Sequence, residues 1–395
     1  MTQNVMMRLT AAPVIKPWGL AHADALSSTG IRVGLGELWL ASAQTGPGNY
    51  ASEIAEPEID ADMAEVLLAA SEKGGEDLRR ILGEQPIQTL NENPHRGKTE
   101  AWHVRCAEGR AGFAAGPRTA EQCRELEELI TGPGLSPNIE EWPPEVRELF
   151  GLIEPVQSGE VYQVPAGTLH TMFAIGDDSR LIIDEIQQGY GASRLPTLSK
   201  ILMVQGSLLS VQVHPSDETM RQVAEGEKQI DQDLESNPTV RVYDFGRRPG
   251  EYPELGFELT DPSAGLKRVT PVDVQLDEGV ELRVMVVCEY FVKIRLKMSA
   301  GKRMKWQPRF GSYRVIHCIA GDATLASGSQ RCQLNRGETV FVPGALEEHL
   351  EVETTEGCEL FDDAVPCVMG LRDFLLRHGA TEDELESLFN PPRAL

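Results

Sequence analysis

Residues 159–170 read Gly-Glu-Val-Tyr-Gln-Val-Pro-Ala-Gly-Thr-Leu-His. Gly159 permits a turn, and Val161 to Val164 suit a short strand. Pro165, Ala166 and Gly167 stop that strand and let the backbone bend sharply. His170 is then presented just past the bend, beside the strand end. An imidazole at the lip of a rigid strand is well placed to hold a metal. A chain organised around such a segment must supply the remaining ligands from other strands.

The chain has 395 residues, which implies two or three domains. Its hydrophobic content of 41% is that of a folded protein, and runs such as Val284 to Cys288 are far short of a membrane span. The first residues, Met-Thr-Gln-Asn-Val-Met-Met-Arg, lack the basic region and apolar core of a secretory signal, so a cytoplasmic protein is expected. A formal charge of −24 disfavours nucleic acid and anionic membranes as partners. It also means that an anionic ligand needs lysines and arginines gathered locally. Seven cysteines, an odd number without a C-x-x-C pair, suggest neither a disulfide framework nor a thiolate zinc site.

Short strands are expected around 14–19 and 36–42, and helices over about 60–84, broken at Gly74-Gly75. Strand texture returns over 97–115. Residues 117–153 read as helical, with a capping box at Thr119 and a second helix starting near Pro143-Pro144. Strands are expected over 160–187 and 200–213, and a capped helix over 216–234. From about 255 short alternating strands recur to 366, and a helix or helix pair closes the chain over 368–389. The expected division is 1–255, a metal-binding domain with helical insertions at about 60–84 and 117–153, and 256–395, a second β-domain with a C-terminal helix.

That division is supported by an internal echo. Gly337-Glu-Thr-Val-Phe-Val-Pro343 aligns with Gly159-Glu-Val-Tyr-Gln-Val-Pro165. The copies differ where the chemistry sits: Gly167 is matched by Ala345, His170 by Glu348, and His349 is one position out of step. The second copy reads as structural.

Two polar pairs offer partners for His170. Alternation puts Gln212 and His214 on one strand face in Ser210-Val-Gln-Val-His-Pro215, and Lys98 and Glu100 on one face in Gly97-Lys-Thr-Glu100. Two imidazoles, a carboxylate and an amide oxygen leave a position for water or substrate, and suit zinc as well as manganese, iron, cobalt or nickel.

The pattern G-x5-P-x-G-x-x-H at 159–170 is similar to the second metal motif of cupin barrels. Trp18-Gly19, Gly36-Glu-Leu-Trp39, Gly97-Lys-Thr-Glu100, Pro165-Ala-Gly-Thr-Leu-His170, Glu185-Ile-Gln-Gln188, Leu209 to Pro215 and Arg241-Val-Tyr-Asp-Phe245 together resemble the type I mannose-6-phosphate isomerases. The resemblance implies a mainly β fold of two cupin (jelly-roll) barrels with helical insertions. It implies one zinc ion held by Gln212, His214, Glu100 and His170. It further implies a sugar phosphate substrate, with Glu185 as the base, Lys98 assisting proton transfer, and Arg241 stabilising an enediolate or holding phosphate. Trp18, Lys98, Arg241 and Arg247 are the substrate-binding candidates, with Lys200 and Arg248 as further cations near the motifs. A monomer or homodimer is expected.

In the family the Q-V-H-P segment precedes G-K-T-E, and P-A-G-T-L-H follows both. Here the order is Glu100, His170, then Gln212 and His214, as if one strand-and-helix unit had moved along the chain. Two other readings remain open at this level. A bicupin oxygenase with iron or manganese is disfavoured by Gln212-x-His214 in place of H-x-H. A non-catalytic sugar-phosphate-binding relative is disfavoured by retention of Lys98, Glu185 and Arg241.

Overall fold

The computed structural model describes residues 5–26, 32–43, 51–55, 59, 61–72, 75–92, 97–132, 134–188, 197–225, 238–247 and 250–394. Arg248, Gly74 and the end of the expected 216–234 helix lie outside these. The chain is mainly β, with two antiparallel sheets. In the first, the strand order is Lys267–Val269, Val161–Val164, Glu100–Ala115, His170–Gln188, Thr197–Gln205, Arg32–Ala41, Ala12–Lys16. In the second, it is Val272–Asp277, Val280–Val287, Val292–Met298, Cys358–Ala364, Arg314–Ser327, Thr339–Val342, Met7–Thr10, Glu53–Ile54.

The expected helices form where capping and spacing place them. Thr119 caps Ala120–Thr131, whose Cys123, Leu126 and Ile130 share one face and are buried. Pro144 opens Pro144–Phe150. Both pack with Phe173, Val211 and Val242 on the first sheet. Ser216 caps Asp217–Ala224, within the expected 216–234 helix, whose residues after 225 lie outside the described ones. Helices Met63–Glu72 and Gly75–Leu82 behave differently. Their apolar faces pack with Met7, Leu9, Tyr313, Val315 and Phe341, so this insertion covers the second sheet.

Strand pairing crosses the 255/256 division in both directions. Met7–Thr10 pairs with Thr339–Val342 of the second sheet, and Lys267–Val269 pairs with Val161–Val164 of the first. A division read from texture misses this, because a strand near the end of a sheet needs only a matching neighbour, wherever it lies in the chain.

The two sheets repeat a register. Glu100 pairs with Val164 and Gln187, and Trp102 pairs with Glu185. Arg314 pairs with Val342 and Ala364, and Ile316 pairs with Asp362. Val164 and Val342 each precede the motif proline, so Arg314 stands where Glu100 stands and Asp362 where Glu185 stands. In the second sheet the buried Arg314 guanidinium pairs with Glu347 at 2.6 Å and also with Asp362. Glu347 accepts backbone N–H bonds from Phe310, Gly311 and Ser312. Glu348 and His349 are exposed, so the inward carboxylate lies four residues after Pro343, one earlier than the sequence alignment placed it.

Candidate metal centre

Three motif segments that are remote in sequence are stitched together by backbone contacts. Gln212 pairs with His170 across the sheet, and with Arg241 on its other side. The Gly167 N–H donates to the His214 carbonyl at 2.7 Å, and the Gly97 N–H donates to Asp217 Oδ1 at 2.6 Å. Gly167 has φ +87, and a Cβ there would lie 2.8 Å from Asp261. A Cβ on Gly97 would meet the Pro215 carbonyl at 2.7 Å. These glycines let the bends approach one another, and so the altered order of segments still converges.

Glu100, His170 and His214 come together as a group with ligand atoms within 4.8 Å of one another. All three are about 1% exposed. His214 Nε2 is 3.1 Å from Glu100 Oε1, and His170 Nε2 is 3.9 Å from Glu100 Oε2. The amide end of Gln212 reaches His170 Nε2 at 3.2 Å. Each imidazole has its other nitrogen fixed: His170 Nδ1 donates to the Thr168 carbonyl at 2.8 Å, and His214 Nδ1 to the Pro238 carbonyl at 2.9 Å. That tautomer leaves both Nε2 lone pairs facing Glu100, the orientation a metal-binding histidine needs. Burial pushes both imidazoles toward the neutral form, His214 down to about 3 with Lys98 adding to the effect. Burial alone would raise the Glu100 carboxyl, but Lys98 and His214 hold it well below the usual range. Two neutral imidazoles and an ionised carboxylate form a donor set that fits a divalent cation. Glu100 Oε1 makes ion contacts with Lys98 and His214 but no aligned hydrogen bond, as suits an oxygen reserved for a ligand.

Beside this group runs a row of buried charges. Lys98 Nζ is 2.5 Å from Glu100 Oε1 and 3.4 Å from His214 Nε2. Glu185 lies opposite Trp102 in the ladder, and its neighbours Leu181 and Ile183 belong to the interior of the first sheet. Glu185 therefore faces inward, and Asp184 faces the second sheet. Burial, then the negative charge of Glu100, push the Glu185 carboxyl up to about 7, against the pull of Lys200 and Lys98. Lys200 Nζ is 3.0 Å from Glu185 Oε1, with a side chain 11% exposed. It lies 5.4 Å from the Trp39 ring, whose indole N–H donates to Glu37. Glu37 in turn pairs with Lys16 at 3.0 Å. Trp39 is buried and also walls this row.

Arg241 is half-buried and opposite Gln212, so its side chain leaves the same face of the sheet. Arg247 lies 5.0 Å from the Trp18 ring and pairs with Asp244 at 3.2 Å. It also donates to the Leu208 carbonyl, which fixes it at the edge of the same region. Lys200 was singled out in the sequence only by its nearness to motifs. Glu37 and Gln187 stood within quoted motifs without a role of their own, and Lys16 had none either. Gln187 is 1% exposed, and its side-chain amide oxygen has no hydrogen-bond partner among the described residues. The available signal was alternation: Gln187 and Glu185 are two apart on one strand, as are Glu37 and Trp39 on another.

The chain is 22% identical over 256 residues to a mannose-6-phosphate isomerase of Streptococcus mutans. Those residues are 64% of this chain, and the chain spans about 60% of that curated relative's length. It superposes on the crystal structure of the mannose 6-phosphate isomerase of Bacillus subtilis with a TM-score of 0.54 and 17% identity, covering 91% of this chain and 99% of that one. The fold is that of the mannose-6-phosphate isomerases. It confirms the expected mainly β architecture of two cupin barrels with helical insertions, the first barrel carrying the Glu100 cluster and the second carrying Arg314. No protein-family model matches the chain.

Proposed function

We propose that this protein is a metal-dependent aldose–ketose isomerase that interconverts mannose 6-phosphate and fructose 6-phosphate through an enediol. The observation that carries the reading is Glu185: a buried carboxyl held near neutrality, on the same interior face as Glu100 and flanked by Lys98 and Lys200. A proton-transfer base needs a pKa near the working pH. Gln212, His214, Glu100 and His170 would hold zinc, which supplies Lewis acidity toward the sugar oxygens.

The remaining work falls to side chains. The Glu185 carboxylate removes the C2 hydrogen of the aldose as a proton. The released electron pair forms the C1–C2 double bond as the C1 oxygen gains a proton. The same carboxyl then returns its proton to C1 as the C2 hydroxyl gives up its own to Lys98, which had supplied the proton to the C1 oxygen, and C2 becomes the ketone carbonyl. Lys98 donates hydrogen bonds to the oxygens where negative charge develops. Arg241 and Arg247, with Trp18 as a wall, bind the substrate and its phosphate. Lys16 and Lys98 are buried and Lys200 largely so, each beside a carboxylate, which gathers cations locally in a chain of charge −24. The sugar phosphate as substrate, a cytoplasmic setting and a monomeric or homodimeric state belong to the same proposal.

Fructose 6-phosphate formed from mannose 6-phosphate, measured by coupling to a dehydrogenase, tests this reading. A folded, zinc-loaded sample that gives no product overturns it, and oxygen consumption would favour the oxygenase reading. Two further outcomes follow from Glu185. Its base form fills as pH rises through about 7, and a bound cation draws that value lower. The rate therefore falls on the acid side, at or below neutrality, as Glu185 takes up a proton. Glu185→Gln should lower kcat by about 10²- to 10⁴-fold with bound zinc unchanged. An equal rate in that variant would remove Glu185 from the role of base.

A further inference from the structure

The second barrel lacks the metal-ligand set, yet it touches the backs of the strands that carry Glu185 and Lys200. On the strand Thr197–Gln205, Ser199 and Lys200 are adjacent and so point to opposite faces. Lys200 enters the first barrel and pairs with Glu185 at 3.0 Å. Ser199 turns to the second barrel, where its hydroxyl donates to Asp363 Oδ2 at 2.6 Å. Asp363 accepts from Lys293 Nζ through both oxygens, at 2.9 and 3.0 Å. Ser199, Asp363 and Lys293 are at most 4% exposed.

The ladder is unbroken toward His170–Gln188, where Lys200 lies opposite Glu185, but it is interrupted on its other side. Pairing of this strand with Arg32–Ala41 shifts register between Ser199 and Lys200, from Ala41 to Trp39, so the extra residue, Leu40, lies on the neighbouring strand. A bulge interrupts the ladder and re-aims the side chains beside it. Beside that bulge, Ser199 is held from behind by a side-chain bond to the second barrel. A buried, charge-assisted hydrogen bond is short and directional enough to fix the aim of the neighbouring residue.

We propose that Asp363 of the second barrel, acting through Ser199, is a positioning residue for Lys200. The proposal rests on the isomerase reading given above. The second barrel then contributes to the proposed reaction without touching substrate: Lys293 holds Asp363, Asp363 holds Ser199, and the strand delivers Lys200 to Glu185. The groups packed around that endpoint are Glu185, Glu37, Lys98 and Glu100 within the barrel, and Asp184 with His103 and Arg105 behind it.

The test uses Ser199→Ala and Ser199→Thr in the zinc-loaded full chain. In Ser199→Ala, kcat should fall roughly 10-fold or more, within the range that a displacement of about 1 Å produces, with KM little changed. The acid limb of its pH profile should move to higher pH, because Glu185 loses a fixed cation. Ser199→Thr keeps the hydroxyl and should restore both. Independently of turnover, acylation of Lys200 by an amine reagent, mapped by mass spectrometry, should rise severalfold in Ser199→Ala and not in Ser199→Thr. An unchanged kcat and pH profile in Ser199→Ala, or Lys200 labelling equal to that of the unmodified chain, overturns the proposal. Absence of isomerase activity in the unmodified chain would count against the reaction instead, and the Lys200 labelling would still decide the clamp.

Discussion

Replacing His214 by alanine should abolish zinc binding and, with it, the proposed isomerase activity. His214 is the ligand whose place in the sequence is most altered, yet it is among the most firmly held. Its Nδ1 is fixed by the Pro238 carbonyl, its own carbonyl receives the Gly167 N–H, and its Nε2 faces Glu100 at 3.1 Å. Loss of an outer partner of a metal ligand costs about 10- to 100-fold in affinity, and loss of the ligand itself should exceed that. The readout is zinc per chain after dialysis, with circular dichroism to confirm the fold. Zinc content equal to that of the unmodified protein would show that the displaced segment is not part of the site.

The second large effect is on stability. Arg314→Met should destabilise the protein by about 3–5 kcal/mol, the cost of breaking a buried ion pair from one side. Arg314 is fully buried between Glu347 and Asp362, with Trp306 and Phe310 against its guanidinium. Burial raises the Asp362 carboxyl to about 6 even with Arg314 pulling it down. Removing the guanidinium leaves that carboxyl with its remaining partner, the Trp306 N–H, and Glu347 with only its backbone donors. A loss of this size is a large fraction of the roughly 5–15 kcal/mol that stabilises a folded protein. Denaturant midpoints measure it, and a midpoint within error of the unmodified protein would show that Arg314 does not hold the barrel centre. Zinc binding at Glu100 in the first barrel should persist as long as the chain remains folded.

Much of the site was legible in sequence because strand alternation is a strict rule. Lys98 with Glu100, and Gln212 with His214, were placed on common faces by a spacing of two, and the structure brings Glu100, His170 and His214 together. Gly167 and Pro165 marked the bend that presents His170. Lys200 as the partner of Glu185 was not legible, because that pairing depends on which strands are neighbours in the sheet. The same holds for Ser199 and Asp363, which are 164 residues apart in the chain. The division at 255/256 missed Met7–Thr10 and Lys267–Val269, which complete sheets formed mainly by the other part of the chain. In the second barrel the echo at Gly337 to Pro343 was legible. The placing of Glu347 inward and Glu348 outward was not, because the short helix Gly344–Glu347 alters the phase after the proline.

One divalent cation at Glu100, His170, His214 and Gln212 is proposed to control an aldose–ketose isomerisation. Titrating zinc into chelator-stripped protein, while following bound metal and the conversion of mannose 6-phosphate to fructose 6-phosphate, tests it most directly. Activity should be absent after stripping and should return in proportion to binding, saturating at one zinc per chain. Full activity in the stripped protein, or one zinc bound per folded chain with no product formed, would contradict it.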